Sequence, residues 1–114
     1  MKYLCLVYLA EEHLTSCPDS ECAAYAVQVQ TGGRMVAAEA LHAVQTATTV
    51  RIRNGQMSVT DGPFAETKEQ LAGFYLIEAT DLNEAIRVAA NIPPAKYGSV
   101  EVRPVRALDV ETRQ

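Results

Sequence analysis

An α+β domain with the element order β-α-β-β-α-β, carrying an extra β-hairpin after its second strand, is predicted for this chain by three observations. Two apolar runs, Lys2 to Leu9 and Gly73 to Ala79, are almost uninterrupted by polar residues, as strands buried on both faces are. Two segments with apolar residues at helical spacing end on helix breakers, Gly32-Gly33 in one and Pro93-Pro94 in the other. Asn54-Gly55 separates two short strand-like runs and marks a hairpin, because both central residues of a type I′ turn take positive φ.

Each element has its own warrant. After the first strand, Pro18 stands where a first helical residue is expected, with Ser16 before it and acidic Asp19 and Glu21 in the first turn. Cys22, Tyr25, Ala26 and Val29 give that helix its buried stripe. Met35 to Leu41 returns as a strand. Thr48, Val50 and Ile52 alternate with Thr49, Arg51 and Arg53, the pattern of a half-buried strand, and Gln56 to Thr60 is its hairpin partner. The polar tip makes this hairpin a projecting or edge element.

Asp81-Leu82-Asn83-Glu84 reads as a capping box, with Asp81 bonding the helix amides and Glu84 reaching back. Leu82, Ala85, Ile86, Ala89 and Ile92 then form the buried stripe of the second helix. In the closing run Ser99 to Val105, Val100 and Val102 share one face, Glu101 and Arg103 the other.

Without the hairpin this order is ferredoxin-like, two helices covering one face of an antiparallel sheet. The strands at Lys2–Leu9 and Gly73–Ala79 are apolar on both faces, so the uncovered face would leave an apolar patch in a monomer. A homodimer joined sheet to sheet is the expected remedy, burying on the order of 800 Å² per partner.

The 114 residues suffice for a single domain, 1–114, with one core. A formal net charge of −4 argues against direct nucleic-acid binding, which needs clustered Lys and Arg. The apolar opening from Tyr3 to Ala10 is roughly half a membrane span, and Glu11, Glu12 and His13 follow it, so neither a membrane segment nor a secretion signal is expected. Cys5, Cys17 and Cys22 are odd in number and lack a Cys-x-x-Cys spacing. Reduced thiols in a cytoplasmic protein, without a metal, are the expectation. No nucleotide-binding glycine loop or paired-His motif is present, and no cofactor is expected.

The chemistry-bearing side chains gather around the loop Asp61-Gly62-Pro63-Phe64-Ala65-Glu66-Thr67-Lys68-Glu69. His42, after the second strand, is the first candidate for proton transfer, since an imidazole passes protons in either direction near neutral pH. Asp61 is its candidate partner as base or orienting group, Glu39 the alternative; equally, Asp61 can serve only to hold the Gly-Pro bend. Lys68 with Arg51 would hold an anionic group. Tyr8, Tyr25 and Tyr75 are candidates to line a pocket between sheet and helices, Phe64 to plug the core, and His13 to be solvated beside Glu12.

The run Thr46-Ala47-Thr48-Thr49-Val50-Arg51, the stretch from Val59 to Leu71 containing Asp61-Gly62-Pro63-Phe64, the run Gly73 to Ala79 and the ending Gly98 to Pro104 closely resemble the YCII-related, or DGPF, family. The resemblance spans Met1 to Pro104 and implies a dimeric α/β barrel of ferredoxin-like halves. Most of the family has no established activity; some members look like small-molecule enzymes, and some are encoded beside alternative sigma factors. In the YCII branch a His on the first helix, paired with an Asp, is a proposed acid/base dyad. No His lies between Pro18 and Gly33, so that dyad does not carry over. The first helix also looks shorter than in similar members, which would open or reshape a nearby cleft. The resemblance leaves two roles in view: a small-molecule binder or acid/base enzyme with its site near the dimer interface, or a regulatory partner of a sigma factor.

Overall fold

In the computed structural model, which describes residues 1–109, β1 (Lys2–Ala10) runs through the middle of a four-stranded antiparallel sheet. It is followed by α1 (Asp19–Thr31), β2 (Met35–Ala40), the hairpin strands β3 (Thr48–Arg53) and β4 (Gln56–Asp61), β5 (Glu69–Glu78), α2 (Leu82–Ala90) and β6 (Ser99–Pro104). The strand order β2-β5-β1-β6 is compatible with a ferredoxin-like fold, and β3-β4 stands apart as a separate two-stranded sheet.

Alternation decides which side chains meet the helices. Tyr3, Cys5 and Val7 of β1 and Tyr75 and Ile77 of β5 point to one face and are buried with Val29 of α1 and Ala85, Val88 and Ala89 of α2. Val100 and Val102 of β6 pack against this core. On the opposite face Leu4 pairs with Leu76 and Leu6 with Phe74, and all four stay half-buried.

The helix ends obey their local chemistry. Asp81 Oδ1 accepts from the Glu84 amide at 2.9 Å, while the Glu84 carboxylate reaches back to the Thr80 amide at 2.9 Å, one residue beyond the expected box. Gly33, with φ +78°, turns the chain out of α1. The first helix begins at Asp19, with Pro18 as its cap and no side chain bonding the first amides. In α2, Val88 is buried, whereas Leu82 and Ile86 of the expected stripe are each 48 % exposed. The sheet contacts a narrower face of α2 than apolarity alone marks.

The hairpin tip is as expected, Asn54 at φ 53° and Gly55 at φ 75°. Only Thr49 and Arg51 of β3 are half-buried, while β4 is exposed throughout and the apolar face expected to be covered lies open. Register places Val50 opposite Val59 and Ile52 opposite Met57 on one face, and their exposures run from 55 % for Val59 to 69 % for Met57. Phe64, expected as a core plug, is 79 % exposed. The radius of gyration is 16.3 Å, against about 13 Å for a compact domain of this length.

Candidate functional site

Small side chains make the principal cleft. The first half of α1 offers Ala23 and Ala26 towards the sheet, and the facing strands offer Ala38, Ala40, Ala72 and Gly73. With so little side-chain volume on either side, α1 and the β2–β5 edge leave a cleft of ≈ 570 Å³ between them. That is the size of a small-molecule site. Leu14, Cys17 and Pro94 close one end, and Leu41 to Val44 form the rim beyond β2.

Its polar groups are few. His42 and Glu39 stand at the rim, Asp19 at the start of α1, and Gln70 on β5. Tyr75 lines the wall, and burial above all, with nearby Cys22, pushes its hydroxyl up to about 12. That hydroxyl donates to the Cys22 carbonyl at 3.4 Å, so it is a protonated donor already in use. The lining contains two carboxylates and neither lysine nor arginine.

Of the residues singled out from the sequence, the structure places His42 and Glu39 together on this lining. Asp61 lies elsewhere, at the end of β4 and paired with Thr48. The Asp-Gly-Pro-Phe bend is held from the backbone: the Gly62 amide donates to Ala47 at 2.7 Å and Thr49 Oγ1 donates to the Gly62 carbonyl at 2.8 Å. Arg51 reaches back to the Phe64 carbonyl at 3.4 Å, and Lys68 is exposed on the same loop; neither lines the cleft. Tyr8 faces away from the helices, where its hydroxyl donates to Glu101 at 3.2 Å. Burial and that bond raise its pKa.

Tyr25 borders a second, polar depression between the helices, where it donates to the Val88 carbonyl at 2.7 Å beside an Arg34–Glu84 ion pair of 2.9 Å. These groups satisfy one another and pin α1 to α2. His13 is half-buried rather than solvated, stacked on Tyr97 with ring centroids 5.9 Å apart and its Nδ1 3.2 Å from Ser16 Oγ. Of the three tyrosines expected to line a pocket between sheet and helices only Tyr75 lines this cleft, and sequence reasoning missed its walls, which are built from alanines that are distant along the chain and carry no motif.

Among the described residues no cluster of three or more His, Cys, Asp or Glu is arranged to hold a metal, and no helix is long and apolar enough to cross a membrane. Comparison with known proteins gives a family model, the YCII-related domain, matching residues 1–109. An uncharacterised protein of Rhizobium meliloti is 52 % identical over 61 residues, a stretch that covers 52 % of this chain and 49 % of that protein.

Proposed function

The chain belongs to the YCII-related family, and we propose that it is a homodimeric small-molecule-binding protein whose ligand lies beside α1, with His42 exchanging a proton with it. The observation that carries this reading is the apolar cleft of ≈ 570 Å³ with an imidazole on its rim. Its chemistry narrows the ligand class. An anion entering the cleft of a single chain meets Asp19 and Glu39 without a compensating cation; a mainly apolar molecule with a neutral or cationic polar group does not. Glu39 is better placed than Asp61 to work with His42, since it shares the lining.

Dimerisation is supported by two apolar surfaces that one chain leaves open, the Leu4–Leu6–Phe74–Leu76 face and the exposed side of the hairpin. A second copy covering both would supply the area a stable dimer needs. The same hairpin is the surface through which the alternative role, association with a sigma factor, would act.

A thermal-shift screen tests the ligand reading, with one library arm of apolar amines and neutral heterocycles and another of carboxylates and phosphates. Hits are expected in the first arm, with a melting temperature that rises with ligand concentration. His42→Ala should weaken the hit about tenfold, equivalent to 1.4 kcal/mol, with the ligand-free melting temperature unchanged because His42 is exposed. Hits confined to the anionic arm and lost in Arg51→Ala or Lys68→Ala would instead locate the site on the Asp61–Glu69 loop.

A further inference from the structure

Cys17 and Cys22 have no motif spacing, yet the fold brings their sulfurs to 3.4 Å. Cys17 is buried in the segment leading into α1, Cys22 is half-buried one turn into the helix, and both line the cleft. We propose that this pair is a dithiol that closes to a disulfide when a hydroperoxide enters the cleft. The sulfurs need approach by only roughly 1.3 Å to reach disulfide length. Two thiols of one chain held at this separation have a far higher effective concentration for each other than any second molecule would supply.

The reaction balances with one equivalent of hydroperoxide. Cys22, the more accessible sulfur, attacks the terminal peroxide oxygen; the O–O bond breaks, an alcohol or water leaves, and Cys22 becomes a sulfenic acid. Cys17 then attacks the Cys22 sulfur, the S–O bond breaks, and water leaves with the second thiol proton. The thiols lose two electrons and two protons, and the hydroperoxide is reduced by the same two electrons.

The surroundings set the rate. Burial, then the hydrogen bond with Cys17 and the charges of Cys17, Asp19 and Glu21, push the Cys22 thiol up to about 12. Its thiolate fraction at neutral pH is therefore small and oxidation is slow. A closed bridge would tie the segment before α1 to the helix and remove two thiols from the cleft wall. Cys5 is an internal control, fully buried in the core and absent from the cleft.

Hydrogen peroxide treatment of the full chain, followed by alkylation and non-reducing peptide mapping, tests the proposal. Cleavage after glutamate separates all three cysteines, since Glu11 and Glu12 lie between Cys5 and Cys17, and Glu21 between Cys17 and Cys22. The expected product is an intrachain Cys17–Cys22 link, lighter by two hydrogen masses and reversed by dithiothreitol. It should persist in Cys5→Ser and vanish in Cys17→Ser and Cys22→Ser, with far-UV circular dichroism confirming that each variant is folded. A bridge that uses Cys5, a bridge between chains, or sulfinic acid at Cys22 beside a free Cys17 would overturn it.

Discussion

Gly73 shows how closely single residues set the cleft. A Cβ added there would lie 2.8 Å from the backbone carbonyl of Glu39 on the neighbouring strand, which cannot move without disturbing the β2–β5 ladder. Gly73→Ala should therefore destabilise the chain by about 1–3 kcal/mol in urea unfolding, as overpacked sites do. Glu84 carries a pH signature. The Thr80 amide first, then the Arg34 guanidinium, hold its carboxyl below the usual range. A depressed native pKa adds stability above the unfolded-state value near pH 4, and that stability is lost as pH falls through the carboxylate range. Melting temperature should thus fall less steeply on acidification in Glu84→Gln than in the parent; parallel curves would show that the pair contributes nothing. At this scale the sequence was readable wherever the chemistry is local. Asn54-Gly55 needed only its own dihedrals, and Asp81 only the amide three residues on. Phe64 was not readable, because whether an aromatic is buried depends on what lies above it.

At the scale of elements, the succession of strands and helices along the chain follows from periodicity. Which face of α2 is pressed to the sheet does not, and Val88 replaced Ile86 there because the helix meets the sheet along a narrower stripe than its apolar residues mark. The hairpin is the sharper case. Isolated two-stranded hairpins are marginal in water, and this one carries Val50, Ile52, Met57 and Val59 uncovered on a single face. An alternating strand predicts that one face is buried but says nothing about which molecule buries it. If a second copy does, Ile52→Asp should leave the unfolding free energy of the dilute chain within about 0.5 kcal/mol of the parent, as exposed substitutions do. The same change should convert dimer to monomer in size-exclusion chromatography with light scattering. An unchanged mass would place the dimer contact elsewhere.

For the whole molecule, a YCII-related chain with an open sheet face, an outlying hairpin and a cleft beside α1 divides its tasks between surfaces. On the proposed reading the apolar surfaces would serve assembly and the cleft would take the ligand. The cleft lies beside α1. Its lining draws on β1, α1, β2, the 41–44 segment, β5 and the turn after α2, a convergence that no linear motif records. The claim that the cleft, not the Asp61–Glu69 loop, takes the ligand is tested most directly by nuclear magnetic resonance titration of the isotope-labelled chain with the strongest screening hit. The account predicts amide shifts concentrated at Glu39–Val44, Gln70–Tyr75 and the first turns of α1. Shifts concentrated at Arg51 and Asp61–Lys68, with the cleft unchanged, would contradict it.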